Sequence, residues 1–321
     1  MNIETICILG GSGFVGRALA ARLASGGYRL RILTRRRERN KDLSVLPHCE
    51  VIQADIHDPR ALTAQLRGCD ALINLVGVLH DSKRPGHGFR DVHILLARTV
   101  VQAAKDAGVR RLLHMSALNA DPAAGSSDYL RSKGEAENIV HTTGKSHLAV
   151  TRFRPSVIFG PGDQFIHRFA KLLRVMPGVF PLACADTRFA PVYVGDLARA
   201  MARCLQDDIG VNRHYEICGP KIYTLKELVA YTAQVIGVRV SVISLGDVLS
   251  KVQASILGVM PGKPMTYDNY LSMQTDSVCR ENGLEALGVT PTEMETVVPG
   301  YLTGPYAHHP YDDFRARPRR D

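Results

Sequence analysis

Three glycines spaced three apart, Gly10, Gly13 and Gly16, follow directly on the apolar run Ile3, Ile6, Ile8 and Leu9. They lead into Phe14, Val15, Ala18, Leu19 and Leu23, which recur at helical spacing. An apolar run that stops at glycine and resumes with a helical period is a buried strand turning tightly into a helix. A side chain at the first glycine blocks the turn. One at the middle glycine holds a pyrophosphate off the backbone, and one at Gly16 pushes the helix away from the sheet. The helix start then offers free N–H groups and a positive dipole end to phosphates. Gly10, Ser12, Gly13, Phe14, Val15 and Gly16 are therefore expected to cradle a dinucleotide.

The next strand, Tyr28 to Thr34, ends in Arg35, Arg36 and Arg37. In dinucleotide-binding folds an acid about 20 residues past the glycines takes the ribose hydroxyls, whereas an arginine accommodates a 2′-phosphate. Arg35 stands in that place, and a guanidinium fork suits a phosphate that a carboxylate would repel. NADP(H) is expected over NAD(H), with Ser12 adding a hydroxyl donor. A solvated basic turn is the other reading of Arg35 to Arg37.

Strands and helices continue to alternate. Glu50 to Ala54 leads to Asp55 and Ile56, Pro59 to Leu66 is a helix, and Asp70 to Val76 is a buried strand giving out at Gly77. Phe89 to Ala107 reads as one helix, and the strand Arg111 to Met115 stops at Ser116. The regular alternation predicts an α/β fold with a doubly wound parallel sheet. Tyr129 and Lys133 then lie four apart in a helix predicted over 128–141, so both face one side. An ammonium beside a phenol favours the phenolate, which lets a tyrosine move protons near neutral pH. Ser116, Tyr129 and Lys133 are the expected catalytic set, with Ser116 binding the substrate oxygen.

The words ILGGSGFVGRALA, ILTRR, INLVGVL, LLHMSAL, YLRSKGEAE, RPSVIFGPGD and APVYVGD resemble the extended and atypical short-chain dehydrogenase/reductases. Within these, the chain is similar to the branch of the nucleotide-binding accessory subunit of respiratory complex I. The resemblance covers about the first 225 residues. It implies a Rossmann fold with a small C-terminal substrate-side domain. It also implies that Asp55 and Ile56 contact the adenine; a helix cap is the other reading of Asp55. By the same resemblance Val76 and Gly77 run beside the ribose and nicotinamide, Lys133 holds the ribose, and Pro155 and Val157 wall the nicotinamide. Arg188, in the pocket-lining word RFAPVYVGD, is either an anion ligand or simply exposed. Several members of that branch keep the nucleotide for structure and lack the catalytic tyrosine, whereas this chain has Tyr129 and Lys133. Two functions follow: an NADP-dependent oxidoreductase or epimerase/dehydratase, or a non-catalytic nucleotide-holding assembly or sensor protein.

Domain boundaries are expected at 1–218 for the nucleotide-binding domain, with 161–188 serving the substrate side, then 219–304 for the small domain and 305–321 for a flexible basic tail. The formal charge of +9 suits an anionic cofactor. No nucleic-acid module accompanies it, so nucleic acid is not an expected partner. Seven scattered cysteines without zinc-ligand spacing read as a reduced, cytoplasmic chain with no metal site. His308 and His309 have no partner at ligand spacing. The longest apolar stretch, Ala71 to Leu79, is too short to span a bilayer. The expected partner is a small-molecule substrate of unknown class, with a peripheral membrane or respiratory-complex association left open and oligomeric state undetermined.

Overall fold

The computed structural model describes residues 3–82, 88–176, 178–206, 209–259 and 265–303. The centre of the His80–Gly88 loop and the tail with His308 and His309 lie outside the described residues.

The chain divides into two compact units that interleave in sequence. The first takes Met1–Pro155, Gly195–Ile217 and Cys279–Thr290. Its frame is a parallel sheet of seven strands. In chain order these are β1 (Thr5–Leu9), β2 (Arg29–Thr34), β3 (Cys49–Gln53), β4 (Ala71–Asn74), β5 (Arg111–Met115), β6 (Ala149–Pro155) and a last strand, Arg213–Ile217. Across the sheet the order is last strand, β6, β5, β4, β1, β2, β3. The order reverses between β1 and β4, and in open α/β sheets ligands bind outside the carboxyl ends of the strands at that reversal. Both faces are covered, so β1, β4 and β5 are buried almost throughout and read as continuous apolar runs.

Helices α1 (Phe14–Ser25), α2 (Pro59–Leu66), α3 (Leu96–Asp106) and α4 (Asp128–Gly144) supply the crossovers. The apolar faces of α2, α3 and α4 pack Leu62, Leu66, Leu96, Val100, Ala136 and Val140 against Leu9, Leu72, Leu112 and Val150. Ser127 starts α4 by accepting from Leu130 N–H at 3.1 Å. Asp58 caps α2 by accepting from Arg60 N–H at 2.9 Å, while Asp55 accepts from His57 N–H at 2.9 Å in a separate turn. The predicted helix over 89–107 divides: Arg90–Leu95 is π-helical and α3 begins only at Leu96. A π-turn holds one residue more per ring than periodicity reveals.

The second unit takes Ser156–Val194, Cys218–Val278 and Pro291–Asp321. Its core joins Phe159, Ile166, Leu173, Phe189, Leu228 and Val298. The helix Leu225–Val235 opens with the expected capping box, Thr224 and Glu227 each accepting from the other's N–H. Cys218 and Cys279 are not free thiols. That departs from the all-thiol reading, because spacing along a chain does not reveal which thiols a fold pairs.

Candidate active site

The turn after β1 is built on close backbone approach. Gly10 has a positive φ of 76°, and its carbonyl accepts from Gly13 N–H at 3.0 Å. A Cβ at Gly10 would lie 3.1 Å from the Leu75 carbonyl carbon and 3.2 Å from Val76 N. One at Gly16 would lie 2.3 Å from Gly10 O and 2.5 Å from the Gly11 Cα. The glycines therefore seat α1 on the turn and bring the turn against the segment following β4. Gly13 itself is exposed at the start of α1, with nothing nearer to its missing side chain than Gly10 O at 3.2 Å. Ser12, Phe14 and Val15 are half-buried around it. Such a cradle, open at Gly13 and closed at Gly16, fits a pyrophosphate.

Arg35 is exposed just beyond the end of β2. The turn after it is organised by residues that sequence reasoning missed. Arg17, from the first turn of α1, donates through Nε to the Ser12 carbonyl at 3.1 Å, forms an ion pair with Asp42 and donates to Asn40 Oδ1 at 3.0 Å. Asn40 donates in turn to Thr34 Oγ1 at 3.2 Å and to the Arg36 carbonyl at 2.9 Å. The glycine turn and the basic turn are thus tied to each other. An arginine one turn into a helix carries no signal of that link.

Val76 and Ile56 pack on the central core, Asp55 is exposed, and Gly77 is exposed just after β4. Beneath Gly77 the chemistry concentrates. A Cβ there would lie 3.8 Å from Lys133 Nζ and 3.7 Å from His93 Nε2. Lys133 is 3% exposed and donates to the Met115 carbonyl at 2.6 Å, one residue before Ser116. Burial lowers its pKa from 10.5 to about 8, against an opposing pull from Glu137. Ser116 is also 3% exposed; its N–H donates to the Phe153 carbonyl at 2.8 Å, and its Oγ has no hydrogen-bond partner among the described residues. Tyr129 is half-buried, its ring edge-on to Phe89 and His93 at 5.9 and 5.8 Å. Tyr129 and Lys133 both lie on α4, four residues apart as predicted.

Pro155 and Val157 fall in different units. Pro155 ends β6 and its carbonyl accepts from Leu118 N–H at 3.0 Å. The Val157 carbonyl accepts from Val192 N–H at 2.9 Å. Arg188 is exposed and its guanidinium is paired with Asp276 at 2.7 and 2.8 Å, which occupies the fork that an anionic ligand would need. Among the described residues no helix is long and apolar enough to cross a membrane.

A family model for the NAD dependent epimerase/dehydratase family matches residues 6–218. The chain is 32% identical over 246 residues to the ceramide reductase of Caulobacter vibrioides, covering 75% of this chain and 74% of that one. It is 28% identical over 228 residues to the 40 kDa subunit of mitochondrial NADH-ubiquinone oxidoreductase of Neurospora crassa, covering 70% of this chain and 58% of that subunit. In fold it is similar to the NADPH-dependent quinone oxidoreductase of Escherichia coli solved with NADPH, with a TM-score of 0.73 at 20% identity over 92% of this chain and 99% of that one.

The subunit relative corrects the partner expectation. That expectation put a small-molecule substrate first and left respiratory-complex association only as an open alternative. A relative that is itself a subunit of NADH-ubiquinone oxidoreductase stands against giving such association the lower place. Sequence reading ranked it low because a surface that docks on another subunit leaves no motif. Two thirds of the chain, with both the glycine turn and the Tyr129–Lys133 helix inside the matched region, places it in the NAD dependent epimerase/dehydratase family with a bound nicotinamide dinucleotide as its expected companion.

Proposed function

We propose that the chain is an NADP(H)-dependent oxidoreductase or epimerase/dehydratase that works at a carbon bearing a hydroxyl or carbonyl. The observation that carries this reading is the buried Ser116 hydroxyl, which has no hydrogen-bond partner among the described residues, on a residue whose N–H pairs with β6 and which follows the carbonyl that Lys133 holds. A buried hydroxyl left without a hydrogen bond costs about 1 to 3 kcal/mol, a cost that a bound oxygen removes. When bound, the nicotinamide supplies or accepts hydride at its C4. Gly10, Gly13, Phe14, Val15 and Gly16 hold the pyrophosphate, Arg35 takes the 2′-phosphate with a hydroxyl donor from Ser12, and Asp55 and Ile56 flank the adenine. Val76 and Gly77 run along the nicotinamide half, with Pro155 and Val157 as its wall.

The substrate oxygen accepts a hydrogen bond from Ser116. Tyr129 gives that oxygen a proton in the reductive direction and removes one in the oxidative direction. Lys133 favours the phenolate and holds the ribose hydroxyls.

The test is a purification without added nucleotide, followed by identification of whatever is released on denaturation, and a comparison of wild type with Tyr129→Phe. NADP(H) near one per chain is expected, with Tyr129→Phe keeping the nucleotide and losing at least about 100-fold in turnover with carbonyl compounds. Release of NAD(H) would overturn the Arg35 selection, and unchanged turnover would overturn the role of Tyr129.

Lys133 makes a second expectation. With a pKa of about 8, it is charged below that pH and neutral above it. Affinity for the anionic nucleotide therefore falls as pH rises through about 8. Calorimetric titration across that range should show the fall, and Lys133→Met should flatten it.

A second reading, a nucleotide-holding subunit in which the cofactor stabilises the first unit, is favoured by the likeness to the Neurospora respiratory subunit. A place at the periphery of the inner membrane goes with it. Under that reading Tyr129→Phe is silent in cells while Gly13→Val destabilises the protein.

A further inference from the structure

His93 was no part of the sequence-derived site, yet it joins the two segments that flank Lys133. It lies in the π-helical stretch Arg90–Leu95 and is 3% exposed. π-Turns are frequent at functional sites because they set one side chain out of the helical period. Val78 N–H donates to His93 Nε2 at 3.2 Å. A ring whose Nε2 accepts carries its proton on Nδ1, and Nδ1 lies 2.8 Å from Ser132 Oγ. The Ser132 hydroxyl donates onward to the Tyr129 carbonyl at 2.8 Å. One chain of donors thus runs from the segment after β4, through His93 and Ser132, to the first turn of α4. The ring is clasped between Phe89, stacked at 5.5 Å, and Tyr129, edge-on at 5.8 Å. Burial and the neighbouring Lys133 push its pKa down to about 2, so the tautomer holds over the working pH range.

We propose that His93 is a positioning residue: through the Val78–His93–Ser132–Tyr129 hydrogen-bond chain it sets the Val76–Val78 backbone against α4 and thereby governs affinity for the nicotinamide riboside half of the cofactor. The role rests on the proposed cofactor placement, in which that backbone runs beside the nicotinamide half. The adenine half, held at Arg35 and the glycine turn, does not depend on it.

His93→Phe keeps a ring between Phe89 and Tyr129 and deletes both hydrogen bonds. His93→Gln restores an acceptor and a donor. Ser132→Ala breaks the chain one link further on with a smaller change of volume. Each variant and the wild type is titrated calorimetrically with NADPH and with 2′,5′-ADP, which carries only the adenine half and the 2′-phosphate. The loss of hydrogen bonds of ordinary strength predicts NADPH binding about tenfold weaker in His93→Phe, with 2′,5′-ADP unchanged within about twofold. Ser132→Ala moves the same way by less, and His93→Gln recovers most of the loss. Imidazole nitrogen resonances of the wild type should report the Nδ1–H tautomer from roughly pH 5 to roughly pH 9. Equal weakening of both ligands marks a merely structural residue and overturns the proposal, as does no weakening of either or a titrating His93 resonance. A wild-type chain that binds 2′,5′-ADP and NADPH equally well removes the nicotinamide-side placement of the proposed function itself, and this inference with it.

Discussion

Gly16→Ala is expected to destabilise the first unit by about 3 kcal/mol and to abolish measurable dinucleotide binding. The new Cβ would lie 2.3 Å from Gly10 O and 2.5 Å from the Gly11 Cα. Both are backbone atoms of the turn, so no side chain can swing aside and α1 must shift. The turn cannot yield easily, because on its other side even a Cβ at Gly10 would lie only 3.1 Å from the carbonyl carbon of Leu75. Differential scanning calorimetry should record a fall of roughly 6 to 12 °C for a unit of this size. Gly13→Ala makes the contrast. Its Cβ meets only Gly10 O, at 3.2 Å. That variant should keep nearly full stability while binding the dinucleotide much less tightly, since the methyl occupies the open side of the cradle. If both variants melted and bound as wild type does, the glycine turn would not be the phosphate site.

Glu137→Gln is expected to cost about 3 to 5 kcal/mol. Glu137 is 1% exposed on α4, one turn beyond Lys133, and it is the carboxylate on which two arginines converge. Arg154 Nε donates to its two oxygens at 3.1 and 2.9 Å, and Arg152 Nη1 donates at 3.3 Å. The strand register puts Asn74, His114, Arg152 and His214 at one level of the sheet, beneath this face of α4. Burial holds the pKa of His114 well below its ordinary value, with Lys133 adding to the effect, and burial also lowers those of Arg152 and His214. The layer is thus rich in groups that resist further positive charge. Neutralising Glu137 leaves two guanidiniums without their counter-charge in a place that water reaches poorly. Urea unfolding of Glu137→Gln, Arg152→Met and the double variant measures this. The double variant should recover part of the single loss, because the charge left unpaired is then removed. Additive losses would show that the pair is not coupled.

A large part of this protein is legible without coordinates. The glycine spacing predicted a strand turning tightly into α1, because each glycine answers a steric demand within a few residues of itself. Alternation of apolar runs and helical periods predicted the doubly wound sheet, since a strand buried on both faces and a helix buried on one write different local patterns. The four-residue step from Tyr129 to Lys133 sufficed to put both on one face of α4, and Thr224 with Glu227 announced their capping box.

What the tertiary structure decided has a common cause. The ties of Arg17 to Asp42 and of His93 to Val78 and Ser132, like those of Glu137 to Arg152 and Arg154, join residues on different elements. So does the choice of which segments compose the second unit. Strand order and register arise from pairing between distant segments, and pairing leaves no period in the chain. The protonation states of His93 and Lys133 are set by burial under those pairings, a property of the packed layer rather than of any residue type. The turn, the alternation of elements and the residues that share a helix face are therefore written locally in the chain, whereas which of those residues meet, and with what charge, depends on the packed sheet.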